Sequence, residues 1–98
     1  MSLRVYILEP AETYIHSLKE AEQGTLLAQI QAIQSGDFAS VNTKQLRGKI
    51  RELKMGSHRI TYFQKRSVLY FIRGFLKKST KTPAREIDYA ENIYRQVK

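Results

Sequence analysis

At Gly48 the hydrophobic period of the sequence changes from helical spacing to two residues. Beyond this point lie three short runs of strand type, the last of which is apolar on both sides. The runs are KIRELKM at 49–55, HRITYFQ at 58–64 and SVLYFIRGFL at 67–76. Gly56-Ser57 and Lys65-Arg66 separate them at the spacing of tight hairpin turns. We therefore predict a three-stranded antiparallel meander.

The N-terminal half has helical spacing after one short strand. Residues 3–8, LRVYIL, form a β-rich run. Apolar residues then recur at three- and four-residue steps in 11–21 and again in 26–33, which predicts two amphipathic helices. Gly36 marks the end of the second helix. The stretch 37–48 is polar without a sustained period, and we interpret it as a connection.

A last helix is predicted to begin at Pro83, with Thr82 before it as the capping residue. The resulting order predicts an α+β fold: N-terminal strand, helical hairpin, three-stranded antiparallel meander and C-terminal helix. Segregated elements of this kind place helices on one face of a mostly antiparallel sheet. At 98 residues, the chain 1–98 is expected to form a single domain.

Charge is unevenly distributed along the chain. There are 17 basic and 9 acidic residues, and twelve of the basic ones lie between Lys44 and Lys81 against the single acid Glu52. Such a region predicts a polyanionic partner, nucleic acid or an acidic protein, although a solvated charged face is the alternative. With no cysteine and two histidines, a zinc site is not expected.

The sequence predicts a cytoplasmic protein that does not enter a membrane. No apolar run reaches the roughly 20 residues that a spanning helix needs. The N-terminus MSLRVYILEP lacks the long apolar region of a signal peptide, because Glu9 and Pro10 interrupt it.

Alternation along the three predicted strands gathers cations and aromatic rings on one sheet face. The expected members are Glu52, Lys54, Arg59, Arg73 and Lys77, among exposed Phe63, Phe71 and Phe75. Cations interleaved with rings suit single-stranded RNA, because guanidinium groups pair with phosphate and rings stack on bases. The alternative is that the phenylalanines belong to a second small core.

Three motifs carry a resemblance to a known family: REL at 51–53 followed by Lys54, Arg59 within HRITYF, and GFLKKSTKTPAREI at 74–87. With the element order, they make the chain resemble the RelE/ParE toxin superfamily, specifically its HigB-like, phage-derived branch. The resemblance implies a toxin of a type II toxin–antitoxin system. It would be a small endoribonuclease that cuts messenger RNA in the ribosomal A site by attack of a ribose 2′-hydroxyl on the adjacent phosphate, without metal or cofactor.

The resemblance also implies roles for individual residues. Arg59 corresponds to a strand arginine that contacts the scissile phosphate, Lys77 and Lys78 to cations that neutralise the transition state, and Lys54 faces the same side. Glu52 is a candidate general base and His58 a possible one, although an exposed hairpin histidine is the alternative. Further candidate RNA contacts are Arg73, Lys49, Arg51, Lys81 and Phe75. Arg73 has an alternative role in holding the C-terminal helix to the sheet. For Tyr89 and Tyr94 two roles remain as alternatives, packing of the helix and catalysis.

This sequence departs from RelE on the first strand of the meander. RelE has lysines there, where this chain has Ile50 and Glu52. Two alternatives therefore stand beside the nuclease: a ParE-like toxin that inhibits DNA gyrase, and a phage-derived binding protein without catalysis. The implied partners are messenger RNA, the ribosome and a cognate HigA-like antitoxin with a helix-turn-helix. Operator DNA would be bound only through that antitoxin.

Overall fold

The computed structural model describes residues 3–98, which are organised around a five-stranded sheet in the order β1-β5-β4-β3-β2. The strands are β1 Arg4–Ile7, β2 Asn42–Arg47, β3 Ile50–Met55, β4 His58–Lys65 and β5 Val68–Leu76. Strands β2 to β5 are successive antiparallel neighbours, and β1 pairs in parallel with β5. The predicted meander is confirmed, and a fourth antiparallel strand extends it.

That additional strand, β2, corrects the interpretation of residues 37–48 as a connection. A single 3-10 turn at Phe38–Ser40 leads into β2, which forms one edge of the sheet. Only Thr43 and Leu46 of this strand are partly buried, and the register shifts between Gln45 and Arg47. A polar edge strand with a bulge shows no two-residue period, because the bulge changes which face later residues take.

Three α-helices complete the fold of residues 3–98: α1 Glu9–His16, α2 Glu20–Ser35 and α3 Ala84–Gln96. The predicted end of the second helix at Gly36 is confirmed by its left-handed conformation, φ 84°. The boundary between α1 and α2 lies earlier than predicted. The backbone N–H of Lys19 donates to Glu22 Oε1 at 3.2 Å, so α2 starts at Glu20, within the stretch 11–21 that we assigned to the first helix. None of the helices described in residues 3–98 is long and apolar enough to cross a membrane.

The helices cover both faces of the sheet, so the expectation that they share one face is wrong. Helices α1 and α2 pack on the hairpin face, which includes Leu53, Ile60 and Tyr62. Helix α3 packs on the α3 face, which includes Ile50, Phe63 and Ile72. Residues 60–63 of β4 are all buried as a result, because a strand that is covered on both sides buries the side chains of both faces.

Two of the three phenylalanines that we expected to be exposed are fully buried, on opposite faces. Phe71 stacks on Tyr62 at 5.1 Å in the core of the hairpin face. Phe63 lies in the core of the α3 face, 4.8 Å from the ring of Tyr94. The face of Phe71 was predicted incorrectly because of a bulge in β5: Thr61 pairs with Arg73 while the next residue, Tyr62, pairs with Phe71. Phe63 lies on the predicted face and is buried there by α3. The alternative, a second small core, is correct for Phe63.

Candidate functional site

Five of the predicted site residues lie together on the α3 face of the sheet. They occupy the part of that face next to the N-terminal end of α3. Strand pairing places Lys54 opposite Arg59, and Arg59 opposite Phe75. Thr61 stands between Glu52 and Arg73 in the same register. Directly paired residues share a face and have Cα atoms about 4.5–5.5 Å apart. Glu52, Lys54, Arg59, Arg73 and Phe75 therefore form one continuous patch.

Glu52 is at the bottom of this patch, with 0% of its surface exposed. Its Oε1 accepts a hydrogen bond from the Thr82 hydroxyl at 2.7 Å, and its Oε2 lies 3.9 Å from Arg59 Nε. A buried carboxylate is stable only when it is paired and hydrogen-bonded. Because this carboxylate is enclosed, its geometry favours a role as the partner of Arg59 over direct contact with a substrate hydroxyl.

The Arg59 side chain is held by hydrogen bonds through only one of its two terminal nitrogens. Its Nη1 donates to the carbonyls of Gly56 at 2.6 Å and His58 at 2.9 Å, and its side chain is 13% exposed. Within residues 3–98 the Nη2 group makes no hydrogen bond, and it is not among the enclosed polar atoms. An arginine keeps its charge at any physiological pH. The structure therefore offers one fixed, charged N–H₂ group at the edge of the patch.

The segment 77–82, which we call the lysine segment, is fastened at both ends beside Arg59. Its first residue, Lys77, donates its backbone N–H to Ser57 O at 2.9 Å. Its last residue, Thr82, donates its hydroxyl to Glu52. Lys78 and Lys81 are exposed between these points and Lys77 is partly buried. The predicted cations are thus carried next to the end of the sheet that holds Arg59.

Thr82 does not cap helix α3, so that prediction is wrong. The N-cap position is Pro83, which has no side chain able to cap, and the helix begins at Ala84. The hydroxyl of Thr82 turns to the buried carboxylate of Glu52 because that group has no access to water, whereas a helix terminus at the surface can bind solvent.

Arg73 holds the C-terminal helix to the sheet, which was the second of its two predicted roles. Its Nε donates to Glu86 Oε1 at 2.9 Å, and its guanidinium lies 4.0 Å from the centre of the Tyr89 ring. Tyr94 packs against Phe63. Both tyrosines that we left open are therefore engaged in packing α3.

Lys49 and Arg51 do not join the patch around Arg59. Arg51 points to the hairpin face, where its Nε donates to the Tyr62 hydroxyl at 3.3 Å and its Nη2 to Thr43 Oγ1 at 3.2 Å. Both residues line a separate cavity of about 660 Å³, which we call the basic groove. The other residues of the basic groove include Ile33, Phe38, Gln45, Gln64, Arg66 and Leu69.

His58 is not an exposed hairpin histidine. Its side chain is 18% exposed and lies on the hairpin face, where Nδ1 is 2.6 Å from the Tyr14 hydroxyl and Nε2 is 3.3 Å from Glu22 Oε2. Burial, and then the charge of Glu22, raise the pKa of Tyr14. Hydrogen bonds from Lys19 N–H and His58 lower the pKa of Glu22. Sequence reasoning missed Tyr14 and Glu22 because they lie 44 and 36 residues from His58.

Comparison with models of known protein families shows which family this chain belongs to. The family described as "Phage derived protein Gp49-like" matches residues 13–95. The chain belongs to this Gp49-like family. The match includes all three motifs that suggested the phage-derived branch, and it excludes only the two ends of the chain.

Solved structures place the Gp49-like chain in the RelE fold. It is similar to RelE in the archaeal RelE–RelB complex from Pyrococcus horikoshii OT3, with 17% identity, a TM-score of 0.68, and coverage of 82% of this chain and 100% of the other. The isolated E. coli RelE toxin matches with 16% identity, a TM-score of 0.62 and coverage of 98% and 100%.

A third similar structure is the RelB–RelE antitoxin–toxin complex from Methanococcus jannaschii, with 10% identity, a TM-score of 0.61 and coverage of 94% and 98%. No curated protein matches the sequence significantly. At these identities the structures show the fold, and with the family match they confirm the resemblance to the RelE/ParE superfamily.

Proposed function

We propose that this Gp49-like chain is the toxin of a toxin–antitoxin pair and that it cuts messenger RNA in the ribosomal A site. The observation that carries the proposal is the Nη2 group of Arg59, which makes no hydrogen bond within residues 3–98. Two carbonyls of the β3–β4 turn hold the guanidinium at the edge of a cationic patch, with the Glu52 carboxylate 3.9 Å from its Nε. A preorganised charge of this kind stabilises a dianionic phosphorane without having to reorient during the reaction.

The proposed reaction needs two proton transfers and one displacement at phosphorus. The ribose 2′-oxygen loses its proton and bonds to phosphorus, the bond to the 5′-oxygen breaks, and that oxygen gains a proton. The products are a 2′,3′-cyclic phosphate and a 5′-hydroxyl end. In this proposal Arg59 binds the scissile phosphate, and Lys54, Lys77 and Lys78 neutralise charge and are the groups available for moving protons. Glu52 orients Arg59.

The basic groove contributes to binding rather than to cleavage in this proposal. Lys49, Arg51 and Arg66 lie on the hairpin face, whereas the scissile phosphate would lie on the α3 face. We propose that these three cations contact backbone phosphates away from the cut. Phe75 and Lys81, beside Arg59 and the lysine segment, are proposed to contact the nucleotides that flank it.

We further propose a cognate antitoxin of the HigA-like helix-turn-helix type, with operator DNA bound through that protein. The similar structures from P. horikoshii and M. jannaschii are complexes of RelE with RelB. For this chain, the supporting observation is charge: an acidic antitoxin segment would complement the exposed Lys78 and Lys81 beside the partly buried Arg59.

The test is inducible expression with and without the neighbouring gene, followed by mapping of messenger 5′ ends. Arg59→Ala alone is an imperfect variant, because it leaves the buried carboxylate of Glu52 unpaired and costs about 3–5 kcal/mol. Arg59→Lys keeps a positive charge near Glu52 but removes the Nη2 group. Arg4→Ala, at an exposed position on β1, is the matched control.

We expect codon-phased cleavage by the wild-type chain and by Arg4→Ala, reduced by about 10²–10³-fold in Arg59→Lys. Growth arrest with DNA damage and no new RNA ends would instead support the gyrase-inhibiting alternative. Binding to the antitoxin without arrest would support the phage-derived binding protein.

A further inference from the structure

A second side-chain network lies behind the patch, on the opposite face of the sheet. Tyr14 of α1, His58 of β4 and Glu22 of α2 are joined through both nitrogens of the imidazole, at 2.6 Å and 3.3 Å. A tautomer with its proton on Nε2 satisfies both contacts, with the Tyr14 hydroxyl donating to Nδ1 and Nε2–H donating to the Glu22 carboxylate. The raised pKa of Tyr14 keeps the proton that its hydroxyl donates, and the lowered pKa of Glu22 keeps its carboxylate charged.

The position of Tyr14 depends on Gly74 of β5. A Cβ at Gly74 would lie 2.9 Å from Tyr14 Cβ and would overlap its ring. Because glycine has no side chain, the ring can lie directly against the strand and reach His58, with the two ring centroids 5.7 Å apart. Gly74 also begins the GFLKKSTKTPAREI motif, so the same motif provides both the lysine segment and the space for Tyr14.

The backbone links this network to Arg59. His58 is fixed from the hairpin face by its ring, while its carbonyl accepts a hydrogen bond from Arg59 Nη1 on the other side of the strand. The second acceptor of Nη1 is the carbonyl of Gly56, two residues earlier in the same turn. The direction of the guanidinium therefore depends on how firmly this turn is held against α1 and α2.

We infer that Tyr14, His58 and Glu22 are positioning residues, which fix the β3–β4 turn so that its carbonyls orient the Arg59 guanidinium from behind. This inference rests on the proposed role of Arg59 in RNA cleavage. The three side chains do not touch the substrate. Loss of the network leaves Arg59 charged and paired with Glu52 but allows the turn, and with it Nη2, to move. A misplacement of about 1 Å is enough to reduce cleavage on the order of 10²-fold.

The test uses one conservative variant of each of the three network residues. Tyr14→Phe removes only the hydroxyl and keeps the ring against Gly74, and Glu22→Gln removes the carboxylate charge. The matched controls are Tyr6→Phe on the exposed surface of β1 and Glu20→Gln on the exposed side of α2. His58→Phe keeps an aromatic ring, and His16→Phe, at an exposed position on α1, is its control.

The first measurement is the Arg59 Nε–H resonance, with amide hydrogen exchange at Gly56 and His58, in the RNA-free protein. We expect the three network variants to shift or broaden this resonance and to speed exchange in the turn, while the controls leave both unchanged. An unchanged Arg59 resonance in Tyr14→Phe and His58→Phe would overturn the inference. This measurement involves no RNA. It therefore tests the positioning of Arg59 even if the wild-type chain does not cut messenger RNA and the proposed function is wrong.

The second measurement is a double-mutant cycle for cleavage. We expect Tyr14→Phe to lower the cleavage rate of the wild-type chain about tenfold and to have no further effect in the Arg59→Lys background. A general loss of stability would lower the rate by the same factor in both backgrounds. That additive result would also overturn the inference.

Discussion

At the scale of single residues, the account depends on a carboxylate without access to water. Glu52 is fully buried, and the Thr82 hydroxyl is its hydrogen-bond donor. Thr82→Val keeps the shape of the side chain but leaves Oε1 without a partner. We expect a loss of about 1–3 kcal/mol in the free energy of unfolding, measured in urea. Thr80→Val, at an exposed position two residues earlier, is expected to change it by less than about 0.5 kcal/mol.

Glu22 provides a prediction for pH dependence at the same scale. Its pKa in the folded protein lies below the ordinary value of 4.5, because Lys19 N–H and His58 hydrogen-bond to the carboxylate. A carboxyl whose pKa is lower in the folded than in the unfolded state stabilises the protein at pH values above the unfolded-state pKa. This contribution is lost as the pH falls through the folded-state pKa. We expect Glu22→Gln to be less stable than the wild type at pH 6 and the difference to vanish in acid below the lowered pKa. A difference that persists unchanged at pH 2 would contradict this origin.

The site residues differ in how far the sequence could predict them. Arg59, Lys77 and Lys78 were predicted as site residues because they lie in local motifs that resemble those of a known family. The pairing of Glu52 with Thr82, 30 residues away, and the contact of His58 with Tyr14 depend on how helices and strands meet. No local period encodes such contacts. From the sequence, Thr82 was therefore predicted to cap helix α3.

At the scale of elements, strands with clear turns were predictable and strands with bulges were not. Strands β3, β4 and β5 are separated by two-residue turns, predicted at Gly56-Ser57 and Lys65-Arg66 and found at Gly56-Ser57 and Arg66-Ser67, so their bounds were close to those predicted. Strand β2 was missed, and the residues of β5 that precede its bulge, including Phe71, were assigned to the wrong face. A bulge adds one residue to one strand and reverses the alternation after it.

Helix α3 provides a prediction at this scale because one lysine fastens its C-terminal end. Lys65 Nζ donates to the carbonyls of Tyr94 at 2.9 Å and Val97 at 2.5 Å, and it lies 4.3 Å from the centre of the Tyr94 ring. We expect Lys65→Met to lower the free energy of unfolding by about 1.5–3 kcal/mol. Amide exchange should accelerate in the last turn of α3. Lys44→Met, exposed on β2, should leave both measurements nearly unchanged.

At the scale of the whole molecule, the uneven charge predicts how binding responds to salt. Twelve of the 17 basic residues lie between Lys44 and Lys81, and the structure places Lys54, Arg59 and Arg73 on the α3 face and Lys49, Arg51 and Arg66 in the basic groove. If Lys49 in the basic groove contacts one phosphate of single-stranded RNA, Lys49→Gln should reduce the slope of log affinity against log salt by about 0.7. Binding titrations at several salt concentrations check this. Arg4→Ala should not change the slope, and an equal change in both variants would remove the basic groove from the RNA path.

The most direct test of RNA cleavage is a reconstituted reaction with purified ribosomes that carry a defined message. We predict that the purified chain cuts the message within the A-site codon and leaves a 2′,3′-cyclic phosphate. Arg59→Lys should slow single-turnover cleavage by about 10²–10³-fold while remaining folded. A message that stays intact in the presence of excess folded wild-type chain would contradict the proposed activity.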